Sequence, residues 1–206
     1  NWRKTLYEVV ELGPEHVSAY GLTLEKGTPW GNLYSQGELQ LVDEDTWVRM
    51  HDLTMQVLPQ AGLMQYELSN YAKPGFESLH NLGYWYRRPY IGVGLGASSF
   101  LNETRSKNHT RYEEYFKSLK MNKLPVAEEE RITREEAMSE TMFLGLRTVK
   151  GVNCLEFKRR FGVSIEEAFP VVNRLAKKGV LERNPPWLRL NPGYYGVSNE
   201  VFLEFV

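Results

Sequence analysis

The stretch QYELSNYAKPGFESLHNLGYWYRRPYIGVGLGASS, residues 65–99, is the most informative part of the chain. It combines the pair His80-Asn81, a run of aromatic and guanidinium side chains, and glycines at every second position over 92–96. A polar and aromatic segment followed by a glycine-rich turn can line a pocket for a flat, anionic or phosphate-like ligand. A long, well-packed loop on the rim of a barrel is the alternative that these residues leave open.

Length and charge limit the class of protein. The 206 residues, 42% of them hydrophobic, suffice for one large domain or two small ones. The formal net charge of -1 provides no strongly basic face, so we do not expect nucleic-acid binding. No apolar run approaches the length of a membrane span, and we expect none.

Cys154 is the only cysteine of the chain. An internal disulfide and a cysteine-based metal cage are therefore excluded. This usage is typical of a reducing, cytoplasmic setting. The sequence begins without methionine and enters a helical pattern at once, so we expect a piece of a longer protein.

Helical and strand patterns alternate in the first part of the chain. Apolar spacing predicts a helix over 5–12, and alternation predicts a strand over 16–24. A second helix is predicted to begin after Asp43 as its N-cap, and a second strand to cover 64–68. The order α, β, α, β favours a parallel sheet or a piece of a (β/α) barrel.

The pattern changes after residue 99. A short strand is predicted within 102–108, and aromatic residues at helical spacing predict a helix over 111–119. The polar segment 120–130 around Pro125 is predicted to be a linker, with a domain boundary near it.

The last part of the chain is predicted to be a small helical unit. Capping boxes at 133–136 and 164–167 each begin a helix, and a shorter helix is predicted within 151–161. Gly179 stands where a helix C-terminal glycine belongs, and a hairpin over 180–190 and a last helix follow it.

Three helices followed by a hairpin form the order of a winged helix, which invites a DNA-binding interpretation. The third helix carries its basic residues, Arg174, Lys177 and Lys178, only near its C-terminal end, and its N-terminal end is acidic. A helix that enters a DNA groove needs basic and amide side chains toward its N-terminal part. The pattern therefore favours a packing module.

Four motifs in order carry a resemblance to a known family. They are 16–29 (HVSAYGLTLEKGTP), 66–75 (YELSNYAKPG), 79–85 (LHNLGYW) and 90–99 (YIGVGLGASS). Together they resemble the oxygen-independent coproporphyrinogen III oxidase family of radical S-adenosylmethionine (SAM) proteins. The C-terminal unit is similar to the winged-helix-like domain that ends these proteins, so the resemblance covers essentially the whole chain.

The resembled family has two branches, and the resemblance implies a tetrapyrrole as ligand or substrate. One branch oxidatively decarboxylates coproporphyrinogen III, and the other is a haem chaperone. The forms of the motifs at 71–75 and 80–85 look more like the chaperone branch.

The resemblance also implies SAM and a [4Fe-4S] cluster in the parent protein. The family's cluster-binding C-x3-C-x2-C motif does not occur in these residues, and Cys154 stands alone in the C-terminal part. Because three thiolates and SAM at the open iron are needed for radical chemistry, we expect this chain to bind neither cofactor. No catalytic residue is assigned, and haem remains a candidate ligand of the chain.

By motif position, the resemblance places the SAM side of the pocket at Thr23, Gly94, Gly96 and Ser98. Thr23 is expected near the end of a strand, where ligands of barrels bind, and an ordinary strand threonine is the alternative. We interpret the glycines as a close backbone approach to a ligand, with a tight strand exit as the alternative. Residues 92–97 also satisfy G-x-G-x-x-A, but no helix is predicted after them to hold a dinucleotide phosphate.

On the tetrapyrrole side of the pocket, His80 is the strongest single candidate for a residue that contacts the ligand. Its imidazole can ligate haem iron or form a hydrogen bond with a porphyrin carboxylate, and Asn81 can orient the ring. A structural histidine is the alternative.

Three more residues complete that side, namely Tyr84, Trp85 and Arg87. The two aromatic rings can stack on a tetrapyrrole, with simple core packing as the alternative. Arg87, together with Arg88, can pair with propionates, and a solvated basic turn is the alternative.

The sequence thus predicts an α/β fold: the second part of a radical-SAM (β/α) partial TIM barrel followed by a winged-helix-like α+β C-terminal domain. The expected division is 1–108 for the barrel part with the pocket loop 65–99, 109–130 for a helix and linker, and 131–206 for the C-terminal domain. The parent would act on or carry a tetrapyrrole, and a haem-binding or docking module without radical chemistry is the alternative.

A partial barrel leaves an open sheet edge. We expect the strand at 16–24 to lie at that edge and to be covered by another copy of the chain or by another segment.

Overall fold

The computed structural model describes residues 1–206, whose helices and strands fall into unit 1 (Asn1–Glu77) and unit 2 (Ser78–Val206). Each unit mixes helices with antiparallel strands. None of the helices combines the length and the apolar character that crossing a membrane requires. The predicted three-part division at residues 108 and 130 stays a prediction.

Unit 1 contains three helices and a three-stranded sheet. Its elements are α1 (Trp2–Glu11), β1 (His16–Ser18), α2 (Pro29–Ser35), α3 (Glu44–Gln60), β2 (Met64–Glu67) and β3 (Asn70–Ala72). The sheet order is β1-β3-β2, and both pairings are antiparallel. Helix α3 begins after Asp43 as predicted, because the Asp43 carboxylate accepts a hydrogen bond from the Thr46 amide at 2.7 Å.

Two local predictions for unit 1 are wrong. The strand expected over 16–24 ends at Ser18, which pairs with Asn70, the first residue of β3; the Ala19 amide still donates to the Ser69 carbonyl at 2.8 Å. The parallel sheet expected here is also wrong, because its strands pair antiparallel. Only residues 68–69 separate β2 from β3, and so short a connection cannot join parallel neighbours. The predicted strand at 64–68 is therefore one half of a hairpin.

The core of unit 1 joins its first and third helices to the sheet. The buried cluster consists of Leu6, Val57, Leu58, Leu63 and Tyr71. The Trp2 indole N–H also joins α1 to α3, with acceptors at the Met50 carbonyl and the Thr54 hydroxyl, both at 3.0 Å. Strand β1 lies at an edge of the sheet, and its covering by a second copy or another segment stays a prediction.

The first half of unit 2 contains two helices and a second antiparallel sheet. Its elements are α4 (Leu79–Trp85), β4 (Ser98–Leu101), β5 (Thr104–Asn108), α5 (Tyr112–Lys120) and β6 (Val126–Arg131), and the sheet order is β4-β5-β6. The predicted linker over 120–130 is wrong from Val126 onward, because it forms β6. This strand places Glu130 opposite Arg105 and Glu128 opposite Lys107, and such cross-strand charge pairs favour a strand that has almost no apolar pattern.

The second half of unit 2 follows the predicted helix and hairpin order. Its elements are α6 (Arg134–Gly145), β7 (Val152–Asn153), α7 (Cys154–Phe161), α8 (Ile165–Ala168), α9 (Val171–Lys177), β8 (Leu181–Asn184), β9 (Trp187–Leu190), a 3-10 helix (Pro192–Val197) and α10 (Ser198–Leu203). The two predicted capping boxes, at Thr133 and Ser164, are confirmed. The sheet order is β7-β9-β8, and assignment as a winged helix stays a prediction.

The predicted third helix is split in two. Helix α8 ends at Ala168, and Phe169 adopts φ -132° and ψ 83° immediately before Pro170. A residue that precedes proline is sterically pushed out of the helical region, which accounts for the break. Helix α9 then resumes with buried Val172 and Leu175.

We predict that Gly151→Ala destabilises the protein more than Gly162→Ala. Both glycines have positive φ, +83° and +74°, at which alanine is strained by about 1–2 kcal/mol. A Cβ added at Gly151 would also lie 2.1 Å from the Leu188 carbonyl oxygen, whereas nothing lies within 4 Å of one at Gly162. Urea unfolding is expected to show an additional loss of about 1–3 kcal/mol for Gly151→Ala. Equal losses for the two variants would contradict the close approach.

Candidate functional site

Helix α4 places the candidate tetrapyrrole residues on two different faces. The Ser78 hydroxyl caps the helix by accepting a hydrogen bond from the Asn81 amide at 3.3 Å. Because residues four positions apart share a helix face, His80 lies with Tyr84, and Asn81 lies with Trp85. The LHNLGYW motif therefore presents a His80–Tyr84 face and a separate Trp85 face.

The His80 side chain is exposed and stands at the end of a series of ring contacts. Its imidazole meets Tyr84 edge-on with ring centroids 4.7 Å apart, and Tyr84 meets Tyr90 in the same way at 4.7 Å. Tyr90 in turn contacts Phe100 at 6.3 Å. His80 thus has an aromatic neighbour behind it and remains accessible.

Trp85 lies on the other face of α4, where a cation–π contact holds its ring in place. The Arg147 guanidinium carbon lies 4.5 Å from the centre of the indole ring, a cation–π contact. The indole Nε1 of Trp85 is buried and has no hydrogen-bond acceptor.

Arg87 is buried, and the alternative of a solvated basic turn is wrong for it. Its side chain is 2% exposed, its Nε donates to Glu140 at 2.7 Å, and its Nη2 donates to Glu103 at 2.9 Å. The guanidinium also lies 4.8 Å from the centre of the Phe100 ring. Only Nη1 lacks a partner, so any role of Arg87 toward a tetrapyrrole carboxylate depends on that nitrogen and stays a prediction. Its neighbour Arg88 is exposed.

Sequence reasoning missed the ion-pair network around Arg87. Glu140 of α6 also accepts a hydrogen bond from Arg105 of β5 at 2.6 Å, and Glu103 also accepts one from Arg160 of α7. These residues are separated by tens of positions and share no spacing motif, so no sequence pattern pointed to them. The network joins the end of α4, the β4–β5 turn, α6 and α7.

The same network sets the ionisation of Glu103. Burial raises the pKa of this carboxyl group, but the hydrogen bonds and positive charges of Arg87 and Arg160 lower it by more. The net result is a pKa below the ordinary value of a glutamic acid.

A cavity of about 810 Å³ lies within unit 2 beside this network. Its walls come from the end of α4 and the residues after it, the β4–β5 hairpin, α6, the segment 150–153, α7 and the start of β9. Pockets that hold small ligands typically measure roughly 300–1,000 Å³. Trp85 and Arg87 line the cavity, whereas His80, Asn81 and Tyr84 do not.

The glycine-rich segment forms a loop that is closed at its base. Tyr90 and Phe100 exchange two backbone hydrogen bonds of 2.9 Å. Gly92 requires glycine because an added Cβ would lie 2.2 Å from the Ser98 carbonyl oxygen. The close approach at Gly92 is therefore to the chain's own backbone.

The remaining SAM-side candidates of unit 2 lie in or next to this loop. The Gly94 carbonyl accepts a hydrogen bond from the Asn108 side chain at 2.9 Å, and the Gly96 amide donates to the His109 carbonyl at 2.9 Å. Ser98 is exposed and begins β4, so no helix follows the G-x-G-x-x-A pattern, as predicted. The roles of Gly94, Gly96 and Ser98 toward SAM stay predictions.

Thr23 belongs to unit 1. It is exposed and lies in the irregular segment after β1, so the strand end expected there is not present. Its role toward SAM stays a prediction.

Unit 1 contains a buried polar cluster that sequence reasoning also missed. Glu67 is 0% exposed, and its Oε1 accepts hydrogen bonds from the Ser69 amide at 2.9 Å and from the Asn70 side chain at 2.5 Å. Ser18 donates to Asn70 at 2.5 Å, and the second carboxylate oxygen of Glu67 has no partner. The YELSN part of the second motif was the one sequence feature that could have indicated this cluster.

The residues present do not fit an iron–sulfur cluster. Cys154 is the single thiol, and burial raises its pKa, which disfavours the thiolate. No group of three or more His, Cys, Asp or Glu side chains is placed to hold a metal ion. Cluster chemistry therefore has no donor set among these residues.

Comparisons with known proteins give consistent results. Residues 132–192 match the model of the HemN C-terminal domain. The chain is 35% identical over 198 residues to the Heme chaperone HemW of Bacillus subtilis (strain 168), an alignment that covers 96% of this chain and 52% of that protein. It is 33% identical over 198 residues to the Heme chaperone HemW of Lactococcus lactis, with the same two shares covered.

The fold is also that of a solved structure. The Escherichia coli coproporphyrinogen III oxidase HemN, described as a radical SAM enzyme, superposes with a TM-score of 0.74 at 14% sequence identity. The superposition covers 98% of this chain and 50% of that chain. The chain thus spans about half the length of the proteins that it matches.

The fold is therefore the α/β fold of that structure, as predicted. More narrowly, the chain belongs to the family that contains the coproporphyrinogen III oxidase HemN and the haem chaperone HemW.

We predict that Glu140→Gln lowers the free energy of unfolding by about 3 kcal/mol, because it removes one charged partner of the buried Arg87. Glu130→Gln is the matched control: Glu130 also pairs with Arg105, but its side chain is 60% exposed, and that of Glu140 is 13% exposed. The control should lose less than about 1 kcal/mol. Urea unfolding of the two variants measures the difference, and similar losses would show that the buried pairing is not important.

We predict that Glu103 contributes stability that depends on pH. Its pKa is lowered on folding, so its contribution is complete above the unfolded value of about 4.5 and is lost as the pH falls through the lower folded pKa. The difference in unfolding free energy between the protein and its Glu103→Gln variant should therefore be largest near neutral pH and shrink below pH 4.5.

Glu129→Gln serves as the control for that pH series, because Glu129 is an exposed carboxylate that forms no ion pair. Its effect should be small at every pH. A Glu103→Gln effect that grows as the pH falls would contradict the lowered pKa.

Proposed function

We propose that this chain forms the tetrapyrrole-binding part of a haem chaperone of the radical SAM class. The observation that carries the proposal is the placement of His80, exposed on helix α4 within the LHNLGYW motif. The similarity to Heme chaperone HemW over 96% of the chain supports the same ligand class.

His80 has the chemistry that haem iron requires. A neutral imidazole is a common axial ligand of haem iron, and the ring of Tyr84 stands edge-on behind it at 4.7 Å. Tyr84 and Tyr90 continue as an apolar, aromatic surface on which part of a tetrapyrrole plane can rest. Iron ligation by His80 is thus combined with a nearby aromatic surface.

The chaperone branch is preferred over oxidative decarboxylation of coproporphyrinogen III. The aligned relatives with 33–35% identity are chaperones, whereas the oxidase is similar at 14% identity, a level that supports the fold alone. In a longer protein that supplied the cluster cysteines, Gly94, Gly96 and Ser98 of unit 2 would have roles toward SAM, and Thr23 of unit 1 is a separate candidate for such a role. Haem binding by this chain needs none of that chemistry.

A haem titration of the 206-residue chain tests the proposal. We expect saturable binding with a shifted Soret band, and we expect His80→Ala to lose the shift because it removes the axial imidazole. His109→Ala is the control, since His109 is in the same unit but pairs with Glu114 at 3.4 Å. An unchanged spectrum in His80→Ala would remove His80 as the ligand, and the absence of saturable binding would contradict haem carriage by this chain.

A further inference from the structure

The cavity of unit 2 has walls that suit a flat ring system. Aromatic side chains from four separate segments line it, namely Trp85, Tyr86, Phe100, Phe157 and Trp187. The Trp85 ring is held by Arg147 at 4.5 Å, and Phe157 is 2% exposed, so these two walls are fixed before any ligand arrives. Fixed aromatic walls favour planar ligands because little side-chain entropy is lost on binding.

The charge of the cavity is strongly asymmetric. Its lining includes the cations Arg87, Arg88, Lys150, Arg159 and Arg160 and only the carboxylates Glu103 and Glu156. Both carboxylates are already paired, Glu103 with Arg87 and Arg160, and Glu156 with Arg159 at 2.6 Å.

Arg88 and Lys150 are the cations available to a ligand. Both are exposed, and neither forms an ion pair with any carboxylate of the chain. Arg88 lies over the Tyr86 ring, with its guanidinium carbon 5.9 Å from the ring centre. A cation that is free beside an aromatic wall suits a ligand with both a ring and a negative charge.

Two buried donors at the cavity wall also lack acceptors. They are Nη1 of Arg87, whose side chain is 2% exposed, and Nε1 of Trp85. Buried polar groups in folded proteins are normally hydrogen-bonded, so an unmet donor beside a cavity is a place for an ordered water or a ligand oxygen. Oxygen atoms of a bound anion are acceptors of that kind.

We infer that this cavity is a second ligand site, which binds a planar aromatic compound that carries carboxylate or phosphate groups. The rings pack between the aromatic walls, and the anionic oxygens bind Arg88 and Lys150. The site is distinct from the proposed iron ligand, because His80 and Tyr84 do not line the cavity. The inference therefore does not depend on haem ligation by His80.

Isothermal titration of the full chain with four probes tests the inference. Protoporphyrin IX and its dimethyl ester differ only in free carboxylates, and ATP and adenosine differ only in phosphates. We expect protoporphyrin IX or ATP to bind, and its uncharged counterpart to bind at least about tenfold more weakly, because about a factor of ten is lost with one charge-assisted hydrogen bond. Binding of protoporphyrin IX would identify carboxylates as the groups that the cavity recognises, and binding of ATP would identify phosphates.

The variant Arg88→Ala/Lys150→Ala locates the binding. It removes two exposed cations that form no ion pair, so the fold should be retained, and the affinity for the anionic probe should fall by about tenfold or more. Arg131→Ala/Lys178→Ala is the matched control, since it removes the same charge from two exposed residues that do not line the cavity.

Three results would overturn the inference: neither anionic probe binds, the uncharged counterparts bind as tightly, or the two double variants weaken binding equally. Failure of the haem proposal is a separate result, because it is measured by the Soret band and by His80→Ala.

Discussion

The buried guanidinium of Arg87 is the interaction on which the arrangement of unit 2 depends. It hydrogen-bonds to Glu140 at 2.7 Å and to Glu103 at 2.9 Å, and these carboxylates also bind Arg105 and Arg160. A planar guanidinium can donate to two carboxylates in different directions, which the single ammonium group of lysine cannot reproduce with the same geometry. Because burying charges is costly, the main effect of this network is to fix how the β4–β5 hairpin, α6 and α7 meet the end of α4.

The network also explains the separation of the candidate site into two parts. Arg87 lies two residues after Trp85, the last residue of α4, so the network anchors the end of the helix where Trp85 lines the cavity, while His80 stays exposed on the other face. One short helix thus contributes to an accessible imidazole and to an aromatic, cation-lined cavity. In the two proposals, the first feature binds iron and the second binds an anionic ring compound.

Local rules predicted much of the fold. Asp43, Thr133 and Ser164 were recognisable as helix caps because capping depends on residues only three positions apart. Strand β6 was missed because Glu128 and Glu130 are favourable there only opposite Lys107 and Arg105, more than twenty positions away. The burial of Arg87 was missed for the same reason, since its partners come from distant segments. The motifs did indicate the family and the candidate His80, because they are short and contiguous.

Hydrogen–deuterium exchange of the chain with and without haem tests the central claim, which is that α4 carries the tetrapyrrole ligand. We predict that haem slows exchange in peptides covering residues 78–90, where His80, Tyr84 and Tyr90 lie, more than elsewhere in the chain. Haem that binds while residues 78–90 exchange at an unchanged rate would contradict it.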